Sequence, residues 1–287
     1  MQTTLDISSE ELRKFIELGL REDVGTGDVT SEACIREGAT CEAELLVKEP
    51  GILAGVAVAE RMLLHVDPSA TIEVFIQDGK PVSFGDVAME VKANTRALLR
   101  IERLLLNTMQ RMSGVATLSN RFAFEVEDLP VKILDTRKTT PGQRFLEKWA
   151  VRLGGCHNYR DGLFDWFMIK DNHIDACGSI TKAIERVKAY QAEKGLQDMG
   201  VTVEVRNLVE VQEVLDTGKV TRILLDNFEL PILAEAVAHI AGRFETEASG
   251  GINIHNVRHY AKTGVDFISV GALTHSVHSL DLSLKVR

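Results

Sequence analysis

The second half of the chain carries the pattern that most restricts what it can fold into. From Val131 onward short apolar runs recur at 131–135, 167–170, 201–204, 223–226, 245–249 and 267–271, and each ends abruptly in a polar or charged residue or in glycine. Stretches with helical spacing lie between them, at 143–153, 179–194, 208–217, 231–241 and 256–262. From Glu204 to Asp226, on to Ser249 and on to Gly271, the steps are 22, 23 and 22 residues. Strand, helix and strand at that pitch is the signature of βα units closing into a parallel barrel, although a doubly wound open sheet has a similar rhythm.

The first third reads as α+β. Ser8 and Glu11 form a capping box ahead of Leu12, Phe15 and Ile16 on a short helix, and Gly25-Thr26-Gly27-Asp28 breaks the chain. Residues 42–48, 71–77 and 87–93 alternate as strands, with Asp78-Gly79 and Gly85-Asp86 as turns, while 56–64 suits a helix. These pieces predict a small antiparallel sheet with helices on one side. A strong helix follows over 95–110, and a second helical stretch begins after Ser113-Gly114 and runs to about Phe124.

Composition limits the function classes. The 287 residues are 45% hydrophobic and 26% charged, enough for a sizeable core, and 33 Lys+Arg against 42 Asp+Glu give a net charge of −9. An acidic surface argues against general nucleic-acid or membrane-surface binding, so an anionic substrate has to meet a local basic pocket. Cys34, Cys41, Cys156 and Cys177 show no C-x-x-C spacing and no disulfide framework, and are expected to be buried small apolar residues. Residues 1–30 are polar and acidic with no apolar core of a signal peptide, and the longest apolar run, 51–59, is far short of a membrane span. The expectation is a cytoplasmic protein.

Catalytic groups of a parallel barrel come from the C-terminal strand ends and the loops after them. Here those ends deliver Arg137, Lys138, Lys170, Glu204, Asp226, Ser249 and Gly271 to one rim. The guanidinium of Arg137 suits a carboxylate or phosphate bidentately, and Lys138 adds a movable charge. Arg160 and Lys170 bring two more cations; Lys170, in an apolar strand, needs an anionic partner or must lose its charge, and for a purely structural role the partner is an acid such as Asp171. Glu204 and Asp226 end adjacent strands, so they can bind Mg²⁺, hold ribose hydroxyls or stabilise a cationic transition state, or simply neutralise Arg137, Lys138 and Lys170. The glycines of Ser249-Gly250-Gly251 and Val270-Gly271-Ala272 let backbone N–H groups approach a phosphate at the last two βα turns.

Several strings in order resemble the quinolinate phosphoribosyltransferase family, also called nicotinate-nucleotide pyrophosphorylase (carboxylating). They are Glu22-Asp-Val-Gly-Thr-Gly-Asp28-Val-Thr30, Glu102-Arg103-Leu-Leu-Leu-Asn107, Ser113-Gly-Val-Ala-Thr117, Asp135-Thr-Arg-Lys-Thr-Thr-Pro-Gly142, Glu147-Lys-Trp-Ala-Val151, Ile169-Lys-Asp-Asn-His173, Leu225-Asp-Asn227, Ser249-Gly-Gly251 and Ser269-Val-Gly-Ala-Leu-Thr-His275. The resemblance implies a type II phosphoribosyltransferase: an N-terminal α/β sandwich domain over 1–115, joined by residues of about 276–287, and an incomplete seven-stranded α/β barrel over 116–275. It also implies a homodimer or higher homo-oligomer in which Arg103 enters the neighbouring subunit's site. By the same likeness Arg137, Arg160 and Lys170 hold the two quinolinate carboxylates, and Lys138, Glu204 and Asp226 surround phosphoribosyl pyrophosphate and its Mg²⁺. Ser249, Gly250, Gly251, Gly271 and His275 form the phosphate-side loops. The implied reaction gives nicotinate mononucleotide, CO₂ and pyrophosphate in NAD biosynthesis, with no organic cofactor, nucleic-acid partner or membrane.

One position departs from the family, which usually has His-Arg where this chain has Tyr159-Arg160. Tyrosine donates a hydrogen bond but does not become cationic near neutral pH, so the site either manages without that charge or uses His157. Rival readings are a homologous phosphoribosyltransferase for another acceptor, including the non-decarboxylating relatives associated with molybdate transport, a barrel lyase or isomerase for a sugar phosphate, and a catalytically dead homologue. The intact Thr-Arg-Lys-Thr-Thr-Pro-Gly string favours quinolinate over the first. Four cations exceed what the second needs, and the retained acids and cations speak against the third.

Overall fold

In the computed structural model, which describes residues 10–287, the chain begins with α1 (Glu10–Val24), α2 (Val29–Cys34), β1 (Thr40–Val47), β2 (Gly51–Ile52), α3 (Val56–Val66), β3 (Thr71–Val74), β4 (Pro81–Val82) and β5 (Val87–Asn94). It continues through α4 (Thr95–Glu125), β6 (Lys132–Leu134), α5 (Arg144–Leu153), β7 (Phe167–Ile169), α6 (Asp171–Cys177), α7 (Ile180–Lys194), β8 (Val201–Val205) and α8 (Leu208–Thr217). The remaining elements are β9 (Arg222–Asp226), α9 (Leu230–Ile240), β10 (Glu245–Ser249), α10 (Val257–Ala261), β11 (Phe267–Ser269), α11 (Ala272–His275) and β12 (Leu282–Val286). The expected capping box involves Ser8, which lies outside the described residues. No helix of the described residues is long and apolar enough to cross a membrane.

Two compact units divide the chain. One comprises Met1–Asn120, Thr139–Gly155 and Ser276–Arg287; the other comprises Arg121–Lys138 and Cys156–His275. The first is built on an antiparallel sheet in the order β12-β1-β5-β3. Along β1 the alternation turns Ala43, Leu45 and Val47 into the core and leaves Glu42 exposed and Glu44 half-buried, as period two requires. Met62 and Leu63 of α3 and Leu98, Ile101 and Leu105 of α4 are fully buried and supply the helical layer.

The break expected at Ser113-Gly114 does not occur: α4 runs unbroken for 31 residues. Ser113 points inward, where its hydroxyl accepts from the Ala54 N–H at 2.9 Å and donates to the Ala54 carbonyl at 3.1 Å. A Cβ at Gly114 would collide with the His278 carbonyl, so this glycine serves close packing rather than a turn. Residues 139–155, assigned to the barrel by the pitch of the sequence, group with the first unit. Glu147 there is fully buried and accepts from Arg111 of α4 at 2.9 Å and from the Thr140 hydroxyl at 2.7 Å, while Gly154 packs against the Ala116 carbonyl of α4.

All six expected strands of the second unit form a parallel sheet in the order β6-β11-β10-β9-β8-β7. Strands β7 to β11 are neighbours in chain order and β11 pairs with β6, with none of the mid-sheet reversal of a doubly wound fold; this decides for the barrel. The seventh place is taken not by a full strand but by a single parallel bridge, His157 to Leu134, on the free side of β6. The buried Asp135 explains why this segment stays extended so briefly: it accepts the Tyr159 N–H at 2.8 Å and the Asn158 amide at 2.5 Å, fixing the turn that follows. The strands are buried on both faces: in β9 the consecutive residues Ile223, Leu224 and Leu225, which alternate between the faces, are all buried. The four cysteines are unbridged, and only Cys156 is buried; Cys34 is exposed, contrary to the expectation of burial.

Candidate active site

The C-terminal ends of the barrel strands surround a cavity of about 750 Å³. Twelve of the thirteen site residues expected from the sequence line it: Arg137, Lys138, Tyr159, Arg160, Lys170, Glu204, Asp226, Ser249, Gly250, Gly251, Gly271 and His275. The thirteenth, Arg103, lies on α4 in the first unit, where it borders a depression with Lys14, Asn107 and Gly142. His157, the suggested substitute for the missing histidine, does not line the cavity; its backbone is spent on β6.

Each side chain is placed by an identifiable local device. The loop after β6 carries Arg137 and Lys138, and the Thr274 hydroxyl holds the Lys138 carbonyl at 2.8 Å. Lys170 caps α6: its N–H donates to His173 Nδ1 at 3.0 Å, giving the histidine of the Ile-Lys-Asp-Asn-His string a structural task. The Lys170 side chain reaches across to β8, where Nζ donates to Glu204 Oε2 at 2.7 Å. Its partner is therefore Glu204 and not the neighbouring Asp171, because strand pairing of β7 with β8 brings the two side chains together. Glu204 thus does neutralise one cation, while Asp226 is held otherwise. Its Oδ1 accepts from the Ser249 hydroxyl at 2.5 Å and its Oδ2 from the Asn227 amide at 2.6 Å.

The cationic side of the cavity is electrostatically tense. Partial burial and the adjacent Arg137 both pull the Arg160 guanidinium below its ordinary value, the condition an incoming anion relieves. Tyr159 carries no charge here, since burial and the neighbouring Glu247 push its phenol upward. Gly271 lets two side chains converge on this rim of the cavity: a Cβ there would stand 3.0 Å from both Lys138 Cδ and His275 Cδ2.

Sequence reasoning missed several lining residues, above all Glu247 and Ser269, together with Asn227, Met168 and Leu224. The signal was present in the strand period. Glu247 lies two residues before Ser249, Leu224 two before Asp226 and Ser269 two before Gly271, so each shares a face with a residue already singled out. Among the described residues no three His, Cys, Asp or Glu side chains form a cluster able to hold a metal. Mg²⁺, however, takes only one or two carboxylates alongside substrate phosphates and water, and Glu204 and Asp226 on adjacent strands fit that demand.

Residues 115–285 match the C-terminal domain of quinolinate phosphoribosyl transferase and residues 28–113 match its N-terminal domain. The chain belongs to the quinolinate phosphoribosyltransferase family. A nicotinate-nucleotide pyrophosphorylase (carboxylating) of Arabidopsis thaliana is 48% identical, over 96% of this chain and 83% of its own. A probable enzyme of the same name in Bacillus subtilis is 41% identical over 96% and 93%. Among solved structures, NadC from Streptococcus pyogenes superposes with a TM-score of 0.93 at 36% identity, over 100% of this chain and 99% of that one. The nicotinate-nucleotide pyrophosphorylase of Francisella tularensis gives 0.90 at 36% identity, over 99% and 100%. As a quinolinate phosphoribosyltransferase family member the chain has the expected pair of folds, a sheet-and-helix N-terminal unit and an incomplete barrel.

Proposed function

We propose that the barrel cavity transfers the phosphoribosyl group of phosphoribosyl pyrophosphate to quinolinate with loss of CO₂, yielding nicotinate mononucleotide and pyrophosphate. The observation that carries this reading is the gathering of four cations, two carboxylates and two glycine loops around a single cavity on consecutive strand ends. Both reactants are polyanions, so most of the site's task is to hold like charges together. Arg137 and Arg160 engage the carboxylates of the pyridine, and Lys170 shares a third contact with Glu204. Lys138, His275 and the backbone of Gly250, Gly251 and Gly271 face the phosphates.

The ring nitrogen attacks the anomeric carbon as the bond to pyrophosphate breaks, and positive charge develops on the ribose. Glu204 and Asp226 stabilise that charge, and the Asn227 and Ser249 hydrogen bonds keep Asp226 from reorienting as it does so. Glu204 and Asp226 would hold Mg²⁺ together with the donor, and the ion would supply positive charge to offset part of that on the pyrophosphate. The pyridinium product is an electron sink: the C–CO₂ bond breaks, its electron pair stays on the ring carbon, and that carbon then takes a proton. No organic cofactor is required. Arg103, remote in sequence from these groups, acts in the site of a second copy of the chain.

The test is release of CO₂ and pyrophosphate from quinolinate, with nicotinate as the control acceptor. Arg137→Ala is expected to remove most turnover while leaving the thermal midpoint unchanged. Near-normal activity of that variant, or equal turnover of nicotinate, overturns the assignment.

A further inference from the structure

Beneath the cleft the barrel is not filled by the branched aliphatic side chains usual for parallel barrels. Arg222, the first residue of β9, is only 6% exposed, and lies two residues before Leu224 and four before Asp226, both of which line the cavity. It stands opposite Thr202 of β8 and Glu245 of β10. Its guanidinium is ringed by three aromatic side chains, 3.7 Å from the centroid of Phe267, 5.1 Å from Tyr159 and 5.7 Å from Trp166. In the plane of the group, Nε and Nη2 donate to Glu245 at 3.0 and 2.9 Å, and Nη1 donates to Glu247 at 3.1 Å.

Two of the groups so held reach the cleft. Glu247 is inaccessible to solvent yet borders the cavity, and its other oxygen accepts from the Ser269 hydroxyl. The Tyr159 hydroxyl shares a 2.6 Å hydrogen bond with Thr202 Oγ1, which also accepts from Trp166 Nε1 at 2.9 Å. The rings of Tyr159 and Trp166 meet edge to face at 6.1 Å. Every polar atom of the layer is thus directed, which an aliphatic layer does not achieve. A buried ion pair adds little stability over apolar packing of equal volume; what it adds is a fixed orientation.

We propose that Arg222 is a positioning residue for the acceptor: from below the cleft it fixes the Tyr159 ring and the Glu247 carboxylate, and thereby sets the affinity for the pyridine dicarboxylate without touching it. Tyr159 is a neutral ring with the Arg222 guanidinium 5.1 Å from its centroid. This inference rests on the proposed reading of the cleft as a dicarboxylate site.

Steady-state kinetics with quinolinate and phosphoribosyl pyrophosphate test it. Arg222→Met strands the buried Glu247 charge and endangers folding, so the informative variants are Arg222→Lys, which keeps the charge but not the planar stack, and Arg222→Met with Glu247→Gln, which removes both charges. In the double variant KM for quinolinate is expected to rise about tenfold or more, while KM for the sugar donor stays within about twofold and the thermal midpoint holds. Arg222→Lys is expected to raise only the same KM, by a smaller factor. A wild-type quinolinate KM in the double variant, or both KM values rising together, overturns the inference. Absence of product from the wild-type protein instead defeats the reading of the cleft itself.

Discussion

Gly250→Ala is the substitution whose effect follows most directly from the geometry. Gly250 has φ of +97°, and a Cβ there would stand 2.9 Å from the Asn227 backbone nitrogen and overlap the Asn227 side-chain amide. Asn227 is itself pinned, at φ +57° with its N–H donating to the Ser249 carbonyl at 2.9 Å, so the amide side chain has to give way. The left-handed backbone costs about 1–2 kcal/mol, which is expected as lost folding stability. Displacing the amide removes its hydrogen bond to the Asp226 carboxylate, worth about 1.5–3 kcal/mol for a charged acceptor. Because Asp226 is proposed to act on charge that develops only in the transition state, that second amount is expected as a roughly 10- to 100-fold fall in kcat/KM for phosphoribosyl pyrophosphate. Denaturant unfolding measures the first quantity and initial-rate kinetics the second. A destabilised variant with wild-type kcat/KM would show that Asp226 does not need Asn227, and the reasoning would fail.

Three further outcomes are expected. Inactive Arg103→Ala and Arg137→Ala proteins, mixed and allowed to exchange subunits, recover about a quarter of wild-type activity if sites are shared between two copies, and none if each copy is self-sufficient. Excess chelator abolishes turnover but leaves the thermal midpoint unmoved, since among the described residues no cluster holds a metal by protein ligands alone. Hydrogen bonding to Arg258 lowers the Asp128 carboxyl to about 2, below an unfolded value of about 4. A depressed value stabilises above the unfolded pKa and ceases to do so as pH falls through the folded one, so melting midpoints of wild type and Asp128→Asn differ above about pH 4 and converge toward pH 2.

The barrel was legible because its strands announce themselves twice, once by apolar runs and once by the polar residue that ends each. The site was legible for the same reason: Lys170, Glu204, Asp226 and Ser249 stand at or near those ends. What stayed hidden depends on pairing between strands. Choosing Glu204 over Asp171 as the partner of Lys170 requires the alignment of β7 with β8. Arg222 and Glu247 sit inside strands that otherwise read as ordinary, and a charged residue in a strand is taken for an exposed one until the register shows it inside. Gly114 misled for a related reason, since a glycine required by a neighbour's carbonyl is indistinguishable in one dimension from a glycine that ends a helix.

The edge strand β12 has a consequence for the order in which the chain assembles. Its Leu282 carbonyl accepts from the Gln110 side chain, 172 residues earlier, and the Leu280 N–H donates to the Gln110 carbonyl. The barrel residues between them are all synthesised before this strand exists. During translation the first unit therefore waits with one side of β1 unpaired, while strands β7 to β11 of the barrel, which join near neighbours in sequence, are free to pair.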